Sequence, residues 1–509
     1  MRNDAARVVA LSLALAGPAG AEAPLSAIDW LSRSVDRAAP RVTDEPRVTD
    51  DATPEEIAVR PLDAPDPDAV GLIPAAASGL PRLLWGPTPA DEAARLLRAA
   101  RVDTLPAMQA LLVALLLAEI DPPADSTGDG QVLTARLDKL LDLGAVDEAQ
   151  ALVERAGPTA SPALFRRWFD ISLLTGHEDR ACAAMRATPD IAPTFPARIF
   201  CLARGGDWMA AALTLGTGRA LGFITAEEDA LLARFLDPEL FEGEPPLPLP
   251  ARPSPLVFRM REAIGEPLPI ATLPRAFARA DLRATAGWKT RIEAAERLAR
   301  TGALAPNVLL GVYTERLPAA SGGLWDRVAA VQALDVALLA GDAGAVASAL
   351  PEAWAAMTRA ELEVPFAALY GMRLARVPLS GEAARLARTV GLLSPDYAII
   401  AAGAGTPPFL AAIARGAAPA DAPQDALAQA VRAGFADPPP RQGLGPALTQ
   451  QLSDGRTAEA ILAAVDLITD GAHGDVADIT QGLALLRLLG LEDDARQAAL
   501  QLMLLERPG

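Results

Sequence analysis

Runs dominated by Leu and Ala recur along the chain, and many close on a glycine with a polar or acidic residue soon after it. The stretch LLDLGAVDEAQALV sets Gly144 five positions ahead of Ala149. The same step joins Gly176 to Ala181, Gly205 to Ala210, Gly341 to Val346, Gly455 to Ala460 and Gly490 to Ala495. The physics is that of a helical hairpin. A glycine ends the first helix, because a left-handed backbone costs it nothing. Acidic side chains then favour the positive start of the second helix. A small side chain in its first turn lets the two helices approach closely. Gly144, Gly176 and Gly205 are spaced by 32 and 29 residues, Gly455 and Gly490 by 35. Stacked hairpins of about this period form an α-solenoid. Few runs are rich in Val, Ile, Thr and Tyr, so strands are hard to place. The pattern predicts an all-α chain.

The Gly-x-x-x-x-Ala junction resembles that of the tetratricopeptide repeat, most clearly over 132–215 and 445–507. The usual Trp, Tyr and closing Pro positions are mostly absent, so the resemblance implies degenerate tetratricopeptide-like hairpins.

Other patterns divide the chain. MRNDAARVVALSLALAGPAGA has a basic start, a short apolar core and a small-x-small site, which predicts a signal peptide over 1–21. Residues 22–38 read as a short amphipathic helix, with Leu25, Ile28, Leu31 and Val35 on one face. An acidic, proline-rich segment with a near-tandem PRVTD follows and predicts a disordered linker over 39–70. That tether makes Ile28, Trp30 and Leu31 candidate partner-binding residues, free to dock on the chain's own repeats or on a partner. GLIPAAASGLPRLLWG (71–86) is apolar but broken by Pro74, Gly79 and Pro81, so it cannot be one helix. It is expected to lie along the surface with Trp85 as an anchor, which makes Trp85 a further candidate partner-binding residue. Helical repeats are expected over 71–236 and 256–509, separated by a proline-rich linker over 237–255, with a softer break at 435–446.

Composition narrows the function. Hydrophobic residues make up 51% and aromatic residues 4%, so burial is easy and helix formers dominate. The formal net charge is −18, and Lys139 and Lys289 are the only lysines. An acidic chain repels phosphate backbones and anionic lipid, which argues against a nucleic-acid partner. No later run is long and apolar enough to predict an integral membrane segment after signal cleavage. Export gives a meaning to the only two cysteines, Cys182 and Cys201. In an oxidising compartment an even count reads as a disulfide. Helices on either side of the turn at Pro189 and Pro193 would bring the two together. Redox dithiols usually sit two residues apart, and no His or Cys cluster completes a metal site.

Little else suggests chemistry. His177 and His473 fall in turns far apart in sequence, without metal-ligand spacing. No serine sits in a Gly-x-Ser-x-Gly elbow. AAGAGTPPF (401–409) lacks the third glycine and the strand of a nucleotide cradle. Trp168, Trp208, Trp288, Trp325 and Trp354 fall in or beside apolar helical runs and read as core. No catalytic residue, metal or cofactor is predicted.

The stretches LSAIDWLSRSV (25–35), GLIPAAASGLPRLLWG (71–86) and LLRLLGLEDDARQAALQLMLLER (485–507) resemble an Ala-rich exported family whose members carry the label antifreeze glycopeptide polyprotein. The label's activity is not carried over, because the Ala-Ala-Thr unit of such glycopeptides is absent from this chain. The reading that results is a periplasmic or secreted, non-catalytic scaffold or adaptor that binds an envelope protein or peptide on a helical-repeat surface. A module for a cell-envelope polymer such as peptidoglycan is the alternative, and an enzyme with an unrecognised carboxylate site the second.

Overall fold

The computed structural model describes residues 66–441 and 443–505, which are all-helical and contain no strand among the described residues. The signal peptide, the helix over 22–38 with Ile28, Trp30 and Leu31, and nearly all of the 39–70 linker lie outside the described residues. The helices succeed one another as antiparallel hairpins, an arrangement compatible with an α-solenoid. None among the described residues is long and apolar enough to cross a membrane.

The predicted junctions carry the hairpins. Gly144 caps the helix Gln131–Leu143 in the left-handed region at φ 85°, its N–H bonded to the carbonyls of Leu140 and Leu141. A side chain there would also collide with Leu298, 2.8 Å from a built Cβ, so glycine meets both a backbone and a packing demand. Ala149, Ala181, Val346, Ala460 and Ala495 are buried, as close helix approach requires. One junction shifts by a residue. In ARGGD the left-handed position is taken by Gly206, while Gly205 stays right-handed. Asp207 then caps the next helix, Trp208–Ala220, by accepting from the Ala210 N–H.

Cys182 and Cys201 form a disulfide that ties the helix Glu178–Ala187 to the helix Phe195–Arg204 within one hairpin, with Cα atoms 5.0 Å apart. Both cysteines are buried.

Three expectations are corrected. The linker expected over 39–70 gives way at its end to ordered chain. Pro67–Ala69 is a short 3-10 helix, and Asp68 is fully buried. Asp68 accepts from the Leu133 N–H at 2.7 Å and from the Ser126 hydroxyl at 3.1 Å, so its carboxylate is held by donors from two later segments. The proline-rich stretch 237–255 is no boundary between bodies, since the described residues on both sides of it fall in one compact unit. Arginines staple it down. Arg234 donates to the Pro245 carbonyl at 3.0 Å and Arg261 to the Leu247 carbonyl at 3.1 Å, while Glu266 accepts from the Leu247 N–H at 3.0 Å. Prolines leave carbonyls without a helical ladder, and guanidinium groups supply the missing donors. Trp85, finally, is no surface anchor. It is 3% exposed and belongs to the core, because the broken 71–86 stretch runs across the helices rather than over them.

That crossing is organised by Arg136. Its side chain is fully buried and donates to the carbonyls of Leu116 (2.7 Å), Val70 (2.7 Å) and Ala118 (2.9 Å). Beside it, the Leu72 and Ile73 N–H groups donate to the Leu117 carbonyl, and the Glu119 N–H to the Ile73 carbonyl. Burial pushes the guanidinium down to about 10, with Asp68 opposing the fall, so it stays charged at neutral pH.

Asp170, on the helix Pro162–Thr175, supplies a test. Burial raises its carboxyl to about 6, against the pull of Arg166 and Arg167. A folded value above the unfolded one means the native state binds the proton more tightly. Its contribution to stability is therefore full below about pH 4 and lost as pH rises through 6. Asp170→Asn is expected to raise the melting temperature at pH 7.5, with the gain shrinking through pH 6 and absent near pH 4. Thermal melts of both proteins across that range check this.

Candidate functional site

The first and last helices of the described chain pack against each other. The helix Pro106–Leu117 lies on Glu492–Leu504, and Ala90–Ala99 lies on Thr457–Ala472. Both pairs bury Leu and Ala stripes, which a lone hairpin could not cover. The seam between them carries polar contacts. The Ala458 N–H donates to the Leu84 carbonyl at 2.8 Å. The Ala107 N–H donates to the side chain of Gln501 at 2.8 Å. Thr88 donates its hydroxyl to Glu459 at 2.5 Å, Thr104 and Thr469 share a hydrogen bond at 2.7 Å, and Arg101 pairs with Asp470. Gln501 and Glu459 are both buried. The middle of the chain closes the third side. Thr301 donates to the Leu143 carbonyl at 2.7 Å, and Arg279 pairs with Asp147 at 2.9 Å.

Where these three parts meet, a cleft of about 670 Å³ opens. Its lining comes from 102–109 and Asp142, from 274–301 with Glu361, and from Thr469 to His473. Three arginines, Arg275, Arg297 and Arg300, line it together. Arg297 donates to the Ile270 carbonyl at 2.5 Å and to the Leu273 carbonyl. Arg300 donates to the Ala360 carbonyl at 2.7 Å. Arg275 donates to the Asp142 carbonyl at 3.2 Å and to the Asp103 carboxylate at 3.3 Å. Burial lowers the pKa of Arg297, and the charges of Arg275 and Arg300 lower it further. His473 caps the helix Thr457–Ala472, and its Nδ1 lies 2.7 Å from the Thr469 carbonyl.

A second feature lies on the helix Trp208–Ala220. Its inner residues Ala211 and Leu215 pack into the core, while Met209 and Leu213, four apart on one face, are 83% and 74% exposed. Leu221 and Phe223 continue the apolar surface beyond the helix, and Phe223 stacks on Phe195 at 5.0 Å. Trp208, expected in the core, is 50% exposed, because it sits in the first turn directly after the Asp207 cap. Trp168 is buried, and Trp288, Trp325 and Trp354 pack partly buried against the core.

Among the predicted residues, the structure brings together only Cys182 and Cys201. His177 and His473 both occupy exposed turns as expected, but His473 lines the cleft. Sequence reasoning missed Arg275, Arg297 and Arg300. The last two are one helical turn apart, and the RLAR spacing that places them on one face was the available signal. Nothing local points Arg275 at them.

The seam makes a direct prediction. Gln501→Ala leaves the Ala107 N–H buried without an acceptor, which costs about 1–3 kcal/mol. Urea unfolding of the two proteins measures it. Comparison of the chain with protein-family models, curated proteins and solved structures returns no match.

Proposed function

We propose that this is an exported, non-catalytic scaffold or adaptor, built of degenerate tetratricopeptide-like hairpins, that binds a protein or peptide on its helical-repeat surface. The observation that supports it best is the apolar face formed by Trp208, Met209, Leu213, Leu221 and Phe223. Single exposed apolar residues are ordinary, whereas an apolar stripe running along a helix into the following turn is the usual mark of a partner surface. The face is flanked in sequence by the exposed acids Asp207 and Glu227, on a chain of net charge −18. The partner that fits is an apolar helix with basic flanks, because opposite charge speeds encounter while apolar burial holds the complex. A disulfide and the lack of a membrane-crossing helix among the described residues are compatible with export. The polymer-binding reading draws less support, since no Trp, Tyr or Phe lines the cleft.

The test is a photo-reactive side chain placed at Met209 in cells, with the exposed Glu352 as the control position. A discrete cross-linked product is expected from position 209 alone. It should disappear with Leu213→Asp, whose melting temperature should match the parent because Leu213 packs on little. Equal products from both positions, or sedimentation of the protein with cell-wall sacculi through this face, would contradict the reading.

A further inference from the structure

We infer that a groove lined by residues from 372 to 404 is a binding site for a fatty-acid anion, its alkyl chain laid on an aliphatic floor and its carboxylate held by Arg376 and Arg388. The groove has a volume of about 450 Å³ and shares no lining residue with the three-way cleft or with the apolar face at Trp208. That volume is in the range of small-molecule sites.

Three helices build it. The end of Glu363–Ala375, the middle of Gly381–Leu392 and the end of Tyr397–Ala401 supply its lining. Gly391 lets the last of these lie close, because a Cβ there would stand 2.5 Å from the Ile400 side chain. Leu374 and Ala387 are buried at the bottom of the groove. Val377, Leu379 and Ile400 are half-buried along it, and Ile399 is 66% exposed.

Composition selects the body of the ligand. Apart from the two arginines, no side chain in the lining carries a nitrogen or oxygen atom. A sugar or a peptide would bring hydroxyls or amides along its length, and these side chains could not match them. A plain alkyl chain asks for no such partner.

Charge selects its head. Neighbouring Arg373 is matched by Asp335 at 2.7 Å and lies over the Tyr370 ring. Arg376, one turn on, caps the same helix, and its side chain has no hydrogen-bond or ion-pair partner among the described residues. Arg388 donates to the Ala404 carbonyl at 3.2 Å, which fixes the guanidinium without cancelling its charge. No acidic residue lines the groove. Two cations beside an aliphatic floor fit an amphiphile with one carboxylate, whose planar group matches a guanidinium fork. The net charge of −18 does not forbid this, since exposed charges beyond about 8 Å are screened at physiological salt.

The experiment is isothermal titration of the intact protein with octanoate, 1-octanol, acetate and N-acetyl-Leu-Ala-Leu. Octanoate is expected to bind. Octanol, which lacks the charge, and acetate, which lacks the chain, should each bind at least about tenfold more weakly. Arg376→Gln should weaken octanoate binding at least about fivefold, and Ile399→Asp should abolish it. Both variants should keep the parent melting temperature, because the Arg376 side chain has no partner to lose and Ile399 is largely exposed. Leu213→Asp, which removes the apolar face, should leave octanoate binding unchanged, so the two readings fail separately. Octanol as tight as octanoate, the tripeptide tighter than octanoate, a loss of binding in Leu213→Asp, or no binding by any of the four would overturn the inference.

Discussion

The fold rests on the mutual burial of its two ends. A stack of helical hairpins has an inner apolar stripe at each terminus, and each stripe needs a cover. Here the first helices cover the last ones. The donors Ala107 N–H and Ala458 N–H, which would otherwise be orphaned at a helix start or a crossing, find Gln501 and the Leu84 carbonyl across the seam. The amino acids that do this are separated by more than 370 residues in the chain. Closure thus fixes where the early, middle and late helices meet, and with it the shape of the cleft.

Arg136 shows how the early crossing is kept in register. A buried charge is costly, and replacing its hydration takes several well-placed acceptors. The carbonyls of Leu116, Val70 and Ala118 provide them, and Asp68 stands near. Those carbonyls belong to chain that is not helical, or to a helix end, so they are the ones left without partners of their own. Cation and carbonyls satisfy each other, and Gly71 to Ile73 is held beside Leu117. Arg261 performs the same service for the proline-rich stretch through Leu247.

The hairpins were legible because their signal is local. A glycine cap, an acid and a small residue act within eight positions, and backbone sterics require them in that order. The disulfide was legible for the same reason, since one turn separates its cysteines. The burial of Trp85 was not. A proline-broken apolar run reads equally as a surface strap or a buried crossing, and the choice is made by Arg136 and by a helix that begins at Thr457. The proline-rich stretch misled in the same way, because the arginines that anchor it sit on neighbouring helices. The arginine wall of the cleft was hidden for a third reason. Arg297 and Arg300 share a helix face, but a surface face and a cleft wall look alike until Arg275 and the seam are placed.

Native-state hydrogen exchange at the two seam amides tests closure most directly. If the ends bury one another, Ala107 and Ala458 exchange only through near-global opening, as slowly as core amides such as that of Leu137. If they exchange as fast as the exposed turn at 320–322 while the core stays protected, the ends are not joined and the account fails.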